Sequence, residues 1–158
     1  MPSADGEPIL IECARAAARG DGLEATLRTM LDAISSPFSV GSGAVVVPTR
    51  GSGALEIVAS TGLDAAAAAG LTEAMRRPVH PVTRTFSEPV ATYDVTPMNP
   101  GGPALRSHLP LVVRRDGADH VVGVLALAYD SPIEPAKRPT LEAVADLAAI
   151  AIDRADRD

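Results

Sequence analysis

Apolar positions along the chain recur at two periods, and these mark out its elements. Leu23, Leu27, Met30, Leu31 and Ile34 follow at i, i+4, i+7, i+8 and i+11, which is one stripe of an amphipathic helix. Asp21, with Glu24 three residues on, has capping-box spacing and is the predicted N-cap. Pro37 predicts the helix end. Upstream, residues 1–8 read as a flexible leader. Ile9, Leu10, Cys13, Ala16 and Ala17 predict a first helix over Ile9 to Arg19, interrupted by Gly20. Gly43 to Pro48 and Ala54 to Ser60 are short apolar runs joined by the Gly/Ser turn at 49–53, a predicted hairpin. Asp64 is placed to cap an alanine-rich helix over Ala65 to Arg76, within which Gly70 is a weak point.

The pattern then breaks. Between Pro78 and Leu105 fall Pro78, Pro81, Pro89, Pro97, Pro100 and Pro103. This stretch is predicted to be irregular, with a short edge strand over Pro89 to Val95 and a mobile loop over Asn99 to Pro103. Regularity returns with Ser107 to Arg114 and His120 to Tyr129, a second hairpin around Asp116-Gly117, with Pro110 pushing its first strand toward an edge or a bulge. The run Val121 to Tyr129 ends at D-S-P-I-E-P, and a helix is predicted from about Pro139 to the C-terminus. That helix has two apolar sides. Leu141, Val144, Ala145, Ala148, Ile152 and Ala155 form one. Leu147 lies about 120° and Ile150 about 180° from Leu141, at about 100° per residue, and with Ala143 they form the other. One side can pack on a sheet, while the other needs a second partner.

Composition narrows the possibilities. The 158 residues suffice for one domain with a sizeable core, residues 21–158, preceded by the leader and possible helix at 1–20. Only 3% of residues are aromatic, so Val, Leu, Ile and Ala must build that core, and base-stacking platforms for single-stranded nucleic acid are not expected. A net charge of -6 leaves no basic footprint for DNA or RNA. Arg76-Arg77 and Arg114-Arg115 read as solvated pairs. Cys13 is the single cysteine, which excludes an intrachain disulfide and a cysteine-cluster metal site. Neither a secretory signal nor an apolar run of bilayer length is found, so a cytoplasmic protein without membrane attachment is expected.

Helix, two strands, helix, irregular segment with a short strand, two strands, helix: in this order the chain resembles the GAF domain, a PAS-like sensory fold. The likeness is carried by A-L-E-I-V-A-S-T-G-L at 54–63, S-E-P-V-A-T-Y-D-V at 87–95, L-R-S-H-L-P-L-V-V at 105–113 and G-V-L-A-L at 123–127 with the helix that follows. It implies an α+β fold: a central antiparallel sheet of five or six strands, N- and C-terminal helices packed on one face, and a helix/loop roof over a ligand pocket on the other. It also implies pairing of terminal helices into a homodimer, with Leu147, Ile150 and Arg154 at the interface. Three specialised activities of such domains do not fit. Cys13 lies too early to attach a bilin. A lone thiol cannot run the thiolate-then-disulfide chemistry of the free methionine sulfoxide reductases. The N-K-x-D-F-D-E signature of cyclic-nucleotide binders is missing.

Candidate ligand-binding residues gather where the pocket is expected. In H-P-V-T-R-T, Arg84 could pair with an anion through its planar fork, with His80, Thr83 and Thr85 adding polar groups; the competing reading is an exposed loop with a capping Thr and a solvated Arg. Tyr93 and Asp94 could present an aromatic face and a carboxylate, or be a rim-lying core tyrosine and a turn cap. Ser107 could face the pocket. Strand alternation would then turn Arg106 and His108 away, and would keep Ser107 and His108 from acting as nucleophile and base. His80, His108 and His120 share no metal-ligand spacing, so no metal is expected and His108 reads as structural or exposed. Phosphate-loop and G-x-S-x-G patterns are missing. The expectation is a non-catalytic, small-molecule-binding sensory domain of cytosolic signal transduction, passing its state to a separate output protein. The alternative is a dimerisation or protein-interaction scaffold whose pocket is filled by its own Val, Leu and Met side chains.

Overall fold

The computed structural model describes residues 6–97 and 102–157. The leader at 1–5 and most of the predicted mobile loop (98–101) lie outside the described residues. The elements are α1 (Glu7–Arg19), α2 (Leu23–Ser35), β1 (Val40–Pro48), β2 (Leu55–Thr61), α3 (Ala65–Ala74), α4 (Pro81–Ser87), β3 (Thr92–Val95), β4 (Leu105–Arg115), β5 (Ala118–Tyr129) and α5 (Arg138–Arg157), the last entered through a 3-10 turn at Pro135–Lys137. The strands form one antiparallel sheet in the order β2-β1-β5-β4-β3. β5, the longest apolar run, is the central strand, with β1 and β4 on either side of it, and the short strand after Pro89 is an edge.

The two faces of the sheet bury different residues. Leu105, Leu109 and Leu111 of β4, Leu125, Leu127 and Tyr129 of β5, and Val45 and Val47 of β1 pack against α1, α2 and α5 in the larger core. Gly123 makes this packing close, since a Cβ there would meet the Val46 carbonyl oxygen at 2.9 Å and the Ile152 side chain at 3.3 Å. Ala44, Val46 and Val124 face the other way and pack with Met75, Val82 and Phe86. The hairpin turn between β4 and β5 is Asp116-Gly117, both at positive φ (51° and 79°), as a tight two-residue connection requires.

Several expectations are corrected. Asp21 does not cap α2. The N-cap is Gly22, with no side-chain cap bond, and Asp21 instead pairs with Arg19 at 3.3 Å. By contrast Asp64 caps α3, accepting from the Ala67 N–H at 2.7 Å. The possible first helix is present as α1, and its Ile9 and Cys13 are buried in the main core. The segment expected to be irregular contains α4. Pro81 opens that helix, where a missing N–H costs nothing, so its proline marks a start where a break was read. α3 and α4 together form the helical part of the roof expected over the second sheet face. Leu147 is half-buried against the main core, so the second apolar side of α5 is narrower than expected and is represented chiefly by Ile150, 44% exposed.

Candidate functional site

The seven candidate ligand residues do not converge. Strand parity separates them. Ser107 shares its face with Leu105, Leu109 and Leu111, so it points into the larger core beneath α5. Arg106, His108 and Pro110 therefore point to the roof, opposite Ala128, Ala126 and Val124 of β5. The apolar character of Leu109 and Leu111, at Ser107's own parity, was the sequence signal that could have assigned these faces.

On the roof side, His80 is the N-cap of α4, its Nδ1 accepting from the Val82 N–H at 3.2 Å. Thr83 donates to the Met75 carbonyl at 2.6 Å, tying α4 to the end of α3. Thr85 donates to the Pro81 carbonyl at 2.7 Å. Arg84 is exposed and pairs with Glu88 one turn on. The two threonine hydroxyls thus serve the backbone, and Arg84 points to solvent. Under the roof, the floor of Ala44, Val46, Val124 and Ala126 is filled by Val82, Met75, Leu71 and Phe86. What remains polar is the margin where His80 approaches His108 and Arg106. Burial pushes His108 down to about 4, helped by the neighbouring His80 and by Arg106. Burial also lowers His80. In both rings burial is the main cause, since it penalises the charged imidazolium and favours the neutral form.

Tyr93, Asp94 and Ser107 build a second constellation on the opposite face. Asp94 lies in the left-handed region, φ 55°, a conformation that Asp tolerates better than most residues. The turn aims its carboxylate inward. Oδ1 accepts from the Tyr129 hydroxyl at 2.8 Å and from the Ile133 N–H at 3.0 Å. The Asp94 N–H donates to the same hydroxyl at 3.0 Å. Oδ2 faces Arg138 Nη2 at 3.6 Å. Tyr129 has one proton, given to the carboxylate, so the Ser107 hydroxyl against it must be the donor. Tyr93 donates to Glu142 Oε2 at 2.6 Å, and the Arg138 guanidinium lies 4.5 Å from its ring centroid. Burial raises the pKa of both phenols, and the Glu142 carboxylate raises that of Tyr93 further.

Two concavities lie away from the roof. One is an apolar void of about 10 Å³ lined by Leu27, Met30, Val45 and Val144 among others, without the polar partners a water needs. The other is an open cleft of about 300 Å³ between the Pro48–Arg50 turn, Val121, Val122 and Ile152, flanked by the Arg115–Asp153 and Arg50–Asp156 ion pairs. Among the described residues, no cluster of three or more His, Cys, Asp or Glu could hold a metal ion, and no helix is long and apolar enough to cross a membrane.

The family model of the GAF domain matches residues 23–154. The chain belongs to the GAF domain family. Solved structures agree in fold. The GAF domain of an Acinetobacter phosphoenolpyruvate-protein phosphotransferase is 15% identical, with 98% of this chain and 96% of that one covered and a TM-score of 0.77. The GAF domain of the phosphoenolpyruvate-protein phosphotransferase from Coxiella burnetii is 11% identical, with 96% and 95% covered, also at 0.77. A free methionine-R-sulfoxide reductase of Neisseria meningitidis, in complex with its substrate, is 11% identical, with 99% and 95% covered, at 0.66. No curated protein sequence matches the chain significantly. The antiparallel α+β architecture, with terminal helices on one face and a helical roof on the other, is that of a GAF domain. Membership makes the chain a sensory or regulatory domain in general terms.

Proposed function

We propose that this GAF domain regulates through contacts of its own surface, as a dimerisation or protein-interaction module of the cytoplasm, with the pocket side closed by its own side chains. One observation carries this reading: Val82 of the roof and Val46 and Val124 of the floor are all 0% exposed, with Met75 sealing their edge. A sensor pocket should offer some 300 Å³ or more with converging polar groups, and here that position is occupied by valine and methionine. Catalysis finds no support in the thiol. Cys13 is fully buried in α1, on the side of the sheet away from the roof, and burial pushes its thiol up to about 12. The thiolate that reductase chemistry needs is therefore not formed at neutral pH.

The proposed homodimer uses the exposed side of α5, with Ile150 at its centre, Leu147 at its inner edge and Arg154 at its outer edge. Since Leu147 also packs inward, the clean test is Ile150→Glu with Arg154→Glu. Light scattering after size exclusion should give a dimer for the parent chain and a folded monomer for the double variant. A parent chain that is monomeric at tens of micromolar would end this proposal.

A second reading, binding of a small anion, is favoured by the roof margin, where Arg106, His108 and His80 bring cationic capacity together. An anion there would favour the charged imidazolium forms and raise both histidine pKa values.

A further inference from the structure

The roof and the C-terminal helix occupy opposite faces of the sheet, yet one short segment touches both. The link from α4 to β3 is Glu88 to Ala91, four residues that reach about 14 Å at full extension. It is further shortened by local bonds, Glu88 N–H to the Arg84 carbonyl and Val90 N–H to the Glu88 carbonyl, both at 2.8 Å. A shift of α4 must therefore pull on β3. β3 is poorly placed to resist, being a four-residue edge strand whose register with β4 slips between Thr92 and Val95. Thr92 pairs with the roof-facing His108. One residue later Tyr93 crosses to the other face and holds Glu142 and Arg138. One further on, Asp94 holds Tyr129, Ile133 and Arg138.

We propose that Asp94 is the positioning residue that ties the roof to the start of α5. Its carboxylate gathers the last residue of β5, the loop that leaves it, and the first residue of the terminal helix. These partners have no other common anchor among the bonds of the described residues. Thr92 and Tyr93 stand on opposite faces of this edge strand, and the left-handed turn at Asp94 keeps its carboxylate on the side of Tyr93, so a displacement on the roof face is converted into a loss of bonds on the other. Release of Oδ1 would free Ile133 and Tyr129, and release of Oδ2 would leave Arg138 held by the Tyr93 ring alone. The roof's state would thus be read at the beginning of the helix proposed above for dimerisation. The inference builds on the regulatory reading but does not need the dimer, because every contact lies within one chain.

Hydrogen exchange by mass spectrometry on the full chain tests it with a pair of substitutions. Val82→Ala loosens the roof, and Asp94→Ala removes the tie. In the parent background, Val82→Ala should raise exchange in peptides covering residues 138–146 by at least threefold. Peptides from α2 (Leu23–Ser35) serve as the fold control: they report the global loss that Val82→Ala brings, and the rise in 138–146 should exceed theirs at least threefold. Added to Asp94→Ala, Val82→Ala should change the 138–146 peptides no more than it changes those of α2. Should Asp94→Ala fail to fold, Asp94→Asn tolerates the same backbone conformation, keeps an acceptor for the Ile133 N–H and removes the attraction for Arg138, so the Val82→Ala effect on 138–146 should be reduced in it, though not abolished. A Val82→Ala effect on 138–146 of equal size in both backgrounds would overturn the proposal, as would no effect in either. A rise that α2 shares in full would overturn it too, by showing only general loosening. A monomeric parent chain would refute the dimer and leave this result intact.

Discussion

Two valines three residues apart offer a matched test of the closed roof. Val82 is 0% exposed and Val79 77% exposed, so one substitution to Ala probes burial with the chemistry held constant. Val82→Ala deletes two carbons at about 0.8 kcal/mol each. The cavity left among Val46, Val124 and Met75 adds to this, for roughly 2–3 kcal/mol in all. Alanine's better helix propensity returns about 0.5 kcal/mol at this position in α4. The net expectation is a loss of about 2 kcal/mol. At roughly 2–4 °C per kcal/mol for a domain of this size, Tm should fall about 4–8 °C. Val79→Ala should stay within about 0.5 kcal/mol. Urea unfolding followed by circular dichroism, at one fixed protein concentration because self-association would stabilise the folded state, should show the midpoint move with an unchanged slope. Equal effects of the two substitutions, or a loss below about 0.5 kcal/mol for Val82→Ala, would refute the view that α4 seals the sheet by packing.

The remaining predictions concern the roof margin. His108, held down to about 4 against an ordinary 6.5 and buried on the roof side with the His80 imidazole and the Arg106 guanidinium as its basic neighbours, makes stability depend on pH. Both states hold a neutral ring above about 6.5. As pH falls the unfolded chain takes up the proton first, so stability is lost between about 6.5 and 4, by roughly 3 kcal/mol at most. His108→Gln should flatten that part of an unfolding-versus-pH curve, and an unchanged curve would contradict the burial. If the margin binds anions, titration with inorganic phosphate should move the His80 and His108 imidazole signals in NMR and raise their pKa values, whereas the exposed His120 stays put. Identical shifts at all three would show only ionic-strength effects.

Much of the architecture was legible in the chain because it is written in local chemistry. The 3.6-residue stripe of α2, the Asp-Gly turn and the cap at Asp64 are each decided within a few residues. The misread points were also local, but ambiguous. Pro81 is compatible with a helix start as well as with a loop, and Asp21 could cap α2 or, as it does, pair with Arg19. The candidate site fared worse, since a site is a set of faces. His80, Thr83 and Thr85 are on the roof side as expected, but their hydrogen bonds serve backbone. Tyr93, Asp94 and Ser107 form a real constellation on the wrong side of the sheet. Arg106 and His108, set aside on the supposition that Ser107 faced the pocket, are the strand residues that reach the roof.

The sequence alone determined the order and type of the principal elements, the aliphatic core and the edge position of the strand after Pro89, because periodicity and turn chemistry act over a handful of neighbours. Only the tertiary structure decided which sheet face each strand residue serves, that α4 fills its own pocket with Val82, and that Asp94 meets Tyr129 and Ile133 from 35 and 39 residues away. Those outcomes depend on register and on helix placement across the sheet, where a shift of one residue exchanges every inside for an outside.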